Sequence, residues 1–144
     1  MNNAQSVLKE LLQGIQSDLN ALRQLRPLLQ EQRTLLCQHG GEGLTPLNER
    51  HAALVDGMQQ RASSRSQLLS QLGCDPNEHG MSTLLERLPP ELATRARPLW
   101  QQLHQQLQDC KTQNEINGRI LAGQQETLRA MLFPETVDYS ALAR

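Results

Sequence analysis

The chain has 144 residues, which is enough for one domain of ordinary size and too few for two. Charged residues make up 20% of the chain and the formal net charge is -1, so the composition indicates no basic surface for a polyanion. Aromatic residues, at 2%, are too scarce to stack nucleic-acid bases. The composition therefore excludes a typical nucleic-acid-binding protein.

Leucine and glutamine dominate the chain, with 27 and 19 residues respectively. Both residue types favour helices, whereas the β-branched and aromatic residues that favour strands are scarce. We therefore expect an all-α protein whose helices pack through leucine and carry glutamine on their solvated faces.

The N-terminal residues 1–13 pass from polar residues directly into an amphipathic pattern. They lack the basic start and the continuous apolar segment of a signal peptide. No stretch has enough consecutive apolar residues to span a membrane. The 3 cysteines are odd in number and widely spaced, which fits a reducing compartment better than a disulfide framework. We expect a cytoplasmic protein without membrane insertion.

The first segment carries an apolar residue at every seventh position: Leu8, Ile15, Leu22, Leu29 and Leu36. Such a stripe is typical of a long helix that packs along one face. We predict this helix over residues 4–38, ending at the Gly40-Gly41 pair. Pro27 removes one backbone hydrogen bond, so we expect a kink there but no break, because the stripe keeps its phase.

Thr45 and Pro46 predict the start of a second helix, with threonine as N-cap and proline at the first helical position. We predict this helix over residues 45–73, with Gly73 near its C-terminal cap. Its apolar stripe is thin in the middle, where residues 61–66 read Arg-Ala-Ser-Ser-Arg-Ser. We interpret that run as a solvated helix face.

A short helix is predicted over residues 82–88, ended by two prolines, and a third long helix over residues 91–133. The seam of the third helix is regular, but three of its central positions are polar: Asn114, Asn117 and Gln124. Residues 134–144 form a short tail.

The helix lengths and connections predict the architecture. A helix of about thirty residues is roughly 45 Å long, and short connections make neighbouring helices antiparallel. We expect one domain over residues 1–144, an elongated antiparallel three-helix bundle or coiled-coil-like rod. The short helix forms an insertion before the third long helix.

Four potential zinc ligands occur as two pairs: Cys37 with His39, and Cys74 with His79. The pairs flank the second helix, so they are expected at opposite ends of a rod about 40 Å long. We predict no metal site and no cofactor.

Catalytic patterns are also missing from the sequence. The glycine-rich residues 40–43 have no strand before them and no Lys-Ser/Thr after them, unlike a phosphate-binding loop. The acidic residues form no pair that the pattern forces into one pocket. We predict that the protein is not an enzyme.

Asn117-Gly118 is a strong turn signal between strands, but here it lies inside a helical period. One interpretation is that Asn114 and Asn117 set the register of the helices, as a buried asparagine does in coiled coils. The other is that the seam is deliberately under-packed and leaves a groove for another helix. The residues alone leave both interpretations open.

Residues 114–121 read Asn-Glu-Ile-Asn-Gly-Arg-Ile-Leu. They resemble the N-x-x-N-G-x-hydrophobic-hydrophobic signature in the last helix of the FlgN-type flagellar export chaperones. The order of the helices and the position of Tyr139 near the C-terminus are also similar to that family. One departure is that the family's glycine a few residues after the tyrosine is replaced here by Ser140-Ala141-Leu142.

The resemblance implies a cytoplasmic chaperone that holds hook-associated (hook–filament junction) proteins and delivers them to the flagellar type III export apparatus. The client would present a terminal segment that binds as an amphipathic helix in a groove. The residues expected to bind it are Asn114, Asn117, Gly118, Leu121, Leu128, Met131 and Leu132. Tyr139 is expected to contact the export gate. The other expected partners are therefore components of the export gate and of its ATPase complex.

The third helix is accordingly expected to divide into two halves. Trp100, Leu103 and Leu107 in the first half should pack into the bundle, and the second half, beyond Asn117, should carry the groove. An alternative interpretation is a structural or self-associating coiled-coil adaptor, in which a homodimer buries the seam of this helix.

Overall fold

The computed structural model describes residues 3–38 and 40–132, without the side chains of Asn3, Gln125, Thr127, Leu128 and Leu132. These residues form four helices: α1 (Asn3–Gln38), α2 (Leu44–Gln71), α3 (Glu78–Arg87) and α4 (Pro90–Leu132). The described residues contain no strand, so the prediction of an all-helical protein is confirmed.

Helix α1 runs without a break through Pro27. The stripe predicted for it forms much of the core, since Ile15, Leu22, Leu29 and Leu36 are all buried. Burial of leucine and isoleucine side chains stabilises the fold by roughly 1.5–3 kcal/mol each. The continuous stripe thus compensates for the backbone hydrogen bond that the proline removes.

Glycines form the connection between α1 and α2. Gly40, Gly41 and Gly43 all have positive φ angles, of 59°, 87° and 86°, which glycine adopts without steric penalty. The backbone N–H of Gly41 donates to the carbonyl of Leu35 and closes the end of α1. Helix α2 then begins at Leu44 with Gly43 as its N-cap, so the prediction of Thr45 as N-cap was wrong. The left-handed glycine reverses the chain two residues before Thr45, so the helix already begins at Leu44.

The end of α2 is a Schellman motif. Gly73 has a φ of 75°, its N–H donates to the carbonyl of Ser70, and the N–H of Cys74 donates to that of Leu69. These bonds satisfy carbonyls that the end of the helix leaves without partners. The prediction that Gly73 caps this helix is confirmed.

Helix α3 begins at Glu78, four residues earlier than the predicted Ser82. The reason is a cap that the pattern of apolar residues did not indicate: Oδ1 of Asn77 accepts a hydrogen bond of 3.0 Å from the backbone N–H of Gly80. Gly80 also lies against the backbone of Asp75, where a Cβ would come within 1.7 Å of the carbonyl oxygen. The glycine therefore permits the tight entry into this helix.

Hydrogen bonds give the directions of the long helices. Helix α2 runs antiparallel to α1, because Gln32 donates to Asn48 near one end and Arg61 and Arg65 donate to Asp18 further along. Helix α4 runs parallel to α1, because its Asn117 donates to the carbonyl of Leu29 and its Gln124 to that of Leu36. The chain thus runs up, down and up again.

Helix α1 is the common partner of the other two long helices. It packs extensively against α2 and against α4, whereas α2 and α4 make few contacts with each other. In a closed three-helix bundle each helix packs against both others, which gives three interfaces. Here the α1–α2 and α1–α4 interfaces are extensive and the α2–α4 interface is not. Helix α3 packs against the first part of α4, where Arg97 donates to the carbonyl of Leu85 and Trp100 donates to Glu78.

The contribution of α2 to the core is small, as its thin stripe predicted. Only Leu47 and Leu69 of this 28-residue helix are buried. The main cluster is built by seven residues of α1, three of α3 and three of α4, together with Leu69 and Cys74. The middle of α2 therefore stands against α1 without a continuous apolar seam. Among residues 3–38 and 40–132, no helix has both the length and the apolar composition needed to cross a bilayer.

Candidate partner-binding groove

A groove of about 400 Å³ separates α2 from α4, and we call it the α2–α4 groove. Its floor is the face of α1 that carries Leu22, Leu25 and Leu29. The α2 wall comprises His51, Val55, Met58, Gln59, Ala62 and Arg65, and the α4 wall comprises Leu107, Cys110, Lys111 and Asn114. The groove exists because both helices pack on α1 and only weakly on each other.

The floor of the groove is apolar and closed. Leu22, Leu25 and Leu29 lie three and four residues apart, so they share one face of α1. All three side chains are buried by the flanking helices. From Leu22 to Leu29 the floor is about 10 Å long, which corresponds to two helical turns.

The walls supply the apolar surface that remains accessible. Leu107 of α4 is 41% exposed, and Val55 and Met58 of α2 are half-buried. Methionine adapts its shape readily to different apolar partners. An accessible leucine and methionine on opposite walls of an apolar floor form a surface suited to an amphipathic helix. Leu107 was expected to pack into the bundle, and the structure instead places it on the open wall.

A buried carboxylate fixes the position of α2 on α1. Asp18 is 2% exposed, and its two oxygens accept hydrogen bonds of 2.5 Å from Nε of Arg61 and from one terminal nitrogen of Arg65. A buried carboxylate needs such partners because the loss of its hydration is unfavourable. The interpretation of residues 61–66 as a solvated face was therefore wrong for the two arginines.

Arg65 also connects the two walls at one end of the groove. Its guanidinium carbon lies 5.3 Å from the ring centroid of Trp100 on α4, within the range of a cation–π contact. Trp100 and His104 in turn contact one oxygen of Glu78 on α3, at 3.2 and 3.0 Å. This chain of contacts spans the end of the groove nearest α3.

The two asparagines of the sequence motif have different surroundings. Asn117 is 2% exposed: its amide donates to the carbonyl of Leu29 and to Gln32, and its oxygen accepts from Nε of Arg33. Asn114 is exposed and lines the groove. The first arrangement matches the interpretation that an asparagine sets helix register, and the second matches the interpretation of a groove residue.

The heptad spacing of α4 explains this difference. One stripe faces α1 and is buried: Ala96, Leu103, Cys110 and Asn117. A second stripe lies on the α2 side: Trp100, Leu107, Asn114 and Leu121. Three of its members are exposed, including Leu121 at 42%. Gly118, between the two asparagines, is exposed as well.

The far end of α4 extends past the end of α1. Gln124 lies beside Leu36, so Met131, seven residues later, would need a partner beyond Gln38, the last residue of α1. Met131 is accordingly 75% exposed. The side chains of Leu128 and Leu132, and the whole of Tyr139, lie outside the described residues.

Burial changes the pKa values of two groups in the groove. Desolvation lowers the pKa of His51 from its ordinary value of 6.5, which favours the neutral imidazole. Desolvation also raises the pKa of the Cys110 thiol, an effect that Arg26 partly opposes and Asp109 reinforces. The groove thus favours neutral forms of both groups.

The burial of Asp18 could have been predicted from the sequence, although a search for apolar periodicity alone does not consider a charged residue. Asp18 lies three residues after Ile15 and four before Leu22, so it shares their buried face. A carboxylate there requires a cationic partner, and α2 offers two arginines one turn apart. No comparable residue pattern indicated which α4 stripe would remain open.

Cysteines and histidines do not assemble into a metal site within the described residues, where no suitable group of three or more ligands occurs. All three cysteines are free, Cys37 at the surface and Cys74 and Cys110 buried. His39 lies outside the described residues.

The chain was compared with models of known protein families, and a family matches most of it. The family model described as FlgN protein matches residues 1–133. This range includes all four helices and the α2–α4 groove. No curated protein and no solved structure matches the chain.

Proposed function

The chain belongs to the FlgN family of flagellar export chaperones, and from this membership we propose that it binds hook-associated proteins in the cytoplasm and delivers them for export. The observation that carries the proposal is the open α2–α4 groove, in which two helices stand apart on a common third. A client helix laid in this groove contacts all three.

The proposed mode of binding is helix-in-groove capture. The client's apolar stripe packs against Leu107 and Met58 on the two walls, above the buried floor of α1, and this completes a helical bundle. Ordering the client segment opposes binding, so the affinity depends on a few well-packed apolar anchors. The open spacing of α2 and α4 supports this mode, because the site needs no core residue to move aside.

We propose that client contacts continue along α4 beyond the groove. Asn114, Gly118 and Leu121 form an exposed surface that extends the wall toward the end of the helix. Met131, which is 75% exposed, belongs to the same proposed surface, together with Leu128 and Leu132. Asn117 contributes by holding α4 in register on α1, so that the exposed stripe faces the groove.

Delivery is proposed to involve the C-terminal tail. Tyr139 contacts the export gate or a component of the associated ATPase complex while the client occupies the groove. The client is then transferred to the gate without nucleotide binding by this chain. Tyr139 is not among the residues proposed to bind the client, so the proposal assigns the client and the gate to different residues.

The test uses two leucines of α4 that lie four residues apart. Leu103→Ala removes a side chain that is 1% exposed and should lower the free energy of unfolding by about 2–5 kcal/mol. Leu107→Ala removes an accessible side chain, so it should change stability by less than about 1 kcal/mol and weaken client binding by about 1–3 kcal/mol.

Binding is measured by titrating the terminal segment of each hook-associated protein from the same genome, and stability by urea unfolding. The mass of the complex should correspond to one chain with one client. If Leu107→Ala leaves the affinity of every client segment unchanged, the groove is not the client site. A stable dimer that binds no segment would favour the alternative, a self-associating adaptor.

A further inference from the structure

The charge of the α2–α4 groove restricts the kind of segment that it accepts. Four lining residues can carry a charge near neutral pH: Asp18, His51, Arg65 and Lys111, whereas the Cys110 thiol stays neutral because burial raises its pKa. Asp18 is the single acid among them, and it is already paired with both Arg61 and Arg65. Arg61 does not line the groove, so within the lining the charges of Asp18 and Arg65 cancel. His51 adds none when neutral.

Lys111 adds one positive charge on the opposite wall, and no carboxylate of the lining is left to cancel it. Its side chain is exposed and forms no ion pair with any described residue. Glu115, one turn further along α4, does not line the groove. The groove is therefore positive although the whole chain has a net charge of -1.

The apolar part of the groove sets the spacing of the anchors. Its floor is about two turns long, and the accessible wall residues Met58 and Leu107 lie on either side of that floor. A helix lying there presents side chains at i, i+3 or i+4, and i+7. A flanking residue of the same helix then faces the rim, where Lys111 stands.

We propose that the segment bound in the groove is an acidic amphipathic helix, with three apolar anchors within two turns and a flanking carboxylate that pairs with Lys111. This inference rests on the proposed chaperone function, because it describes the client of the same site. A basic helix is disfavoured there, since it places a cation beside Lys111 and Arg65 with no unpaired acid to receive it.

A matched pair of charge reversals tests the inference. Lys9 and Lys111 are the two lysines of the chain, and Lys9 lies on α1 outside the α2–α4 groove. Lys111→Glu should weaken binding of the client segments roughly 5- to 30-fold at low salt, and Lys9→Glu by less than about 2-fold. The loss should shrink as salt is raised, because the rim is solvated.

The client is changed in parallel. The probes are the terminal segments of the hook-associated proteins from the same genome, with the acidic residues that flank the apolar stripe replaced by their amides. The amide segments should bind the unchanged chain with lower affinity than the acidic segments do. Their affinity for the Lys111→Glu variant should equal their affinity for the unchanged chain. Segments with those acids replaced by lysine should prefer Lys111→Glu. The fluorescence of Trp100, the one tryptophan of the chain, follows binding because its ring contacts the groove residue Arg65.

The outcomes separate the two proposals. If Leu107→Asp abolishes binding but Lys111→Glu behaves like Lys9→Glu, the groove binds clients and the acidic preference is wrong. If neither Leu107→Asp nor Lys111→Glu changes the affinity, the groove is not the client site and both proposals fail. Occupation of the groove by a second copy, seen as a dimer that dissociates in Leu107→Asp, also overturns the inference.

Discussion

Two buried polar residues, Asp18 and Asn117, fix how the long helices of the described chain are aligned. Each is 2% exposed and fully engaged, Asp18 with arginines of α2 and Asn117 with residues of α1. Leucine stripes slide past one another at little energetic penalty, whereas a misaligned buried polar group loses its partners. Asp18 therefore sets the register of α1 with α2, and Asn117 that of α1 with α4.

Replacing Asp18 by asparagine should destabilise the protein. The substitution removes the charge that holds Arg61 and Arg65 together and leaves two guanidinium groups near each other. We expect a loss of about 1–3 kcal/mol in the free energy of unfolding, measured by urea denaturation and circular dichroism. Asp56→Asn is the control, because Asp56 is exposed on α2, where it accepts a hydrogen bond from Gln60 at the surface. Equal stability of the two variants would show that the buried pair does not fix α2.

The two asparagines of the motif should respond in opposite ways to alanine substitution. Asn117→Ala leaves the Arg33 side chain and the Leu29 carbonyl without this partner, so it should lower the unfolding free energy by about 1–3 kcal/mol. Asn114→Ala should change stability by less than about 0.5 kcal/mol and weaken client binding. Thermal unfolding and client titration of both variants provide the measurement. Equal stability losses would contradict the assignment of different roles.

At the scale of the helices, one glycine lies where another part of the backbone comes close, and another lies on open surface. Gly80 lies within α3, where the backbone of Asp75 leaves no room for a Cβ. Gly118 lies within α4 with nothing within 4 Å of the position that a Cβ would occupy. Glycine inside a helix is unfavourable relative to alanine, so only the first of these two has a steric requirement in the free chain.

Alanine substitutions at the two glycines should therefore have opposite signs. Gly80→Ala should destabilise the protein by about 1–3 kcal/mol, because the turn before α3 must move. Gly118→Ala should stabilise it by about 0.5–1 kcal/mol through the higher helix propensity of alanine. Urea unfolding of both variants measures the difference. A client affinity reduced in Gly118→Ala, despite its greater stability, would indicate that the client backbone approaches this position closely.

At the scale of the whole molecule, the neutral forms favoured in the groove make stability depend on pH. Burial lowers the pKa of His51 in the folded state, so the unfolded chain binds the proton more readily. Stability should be complete above the ordinary value of 6.5 and should fall as pH decreases through the lower folded pKa. Unfolding free energies measured across this range should show the decrease, and His51→Gln should reduce its slope. An unchanged slope in the variant would exclude His51 as its source.

The alkaline side depends on Cys110. Burial raises the pKa of its thiol above the ordinary value of 9.0, so the unfolded chain ionises first. Stability should be complete below pH 9.0 and should decrease as pH rises through the higher folded pKa. Cys110→Ala should abolish this contribution, although it creates a small cavity that lowers stability at every pH. If the free energy of unfolding of Cys110→Ala decreases with rising pH as steeply as that of the unchanged chain, another group causes the alkaline decrease.

The elements of this protein follow from its sequence because their causes are local. The heptad stripe of α1, the glycines after it, Gly73 and the two prolines at the start of α4 each act within one or two turns of the chain. The weak seam of α2 was likewise visible in the run of serines and arginines. The start of α3 was misjudged because its cap, Asn77, precedes the apolar residues on which the prediction relied.

The groove and its residues were decided by the tertiary structure. Several helices carry similar leucine stripes, so more than one pairing of helices would bury a similar apolar surface. The sequence alone does not show that α2 and α4 both pack on α1. A small rotation of α4 exchanges Asn114 for Asn117 as the buried asparagine, because residues three apart lie on nearly the same helix face. Packing across the whole molecule, together with the buried bonds of Asp18 and Asn117, selects one rotation. That choice places Leu107 and Lys111 on an open wall.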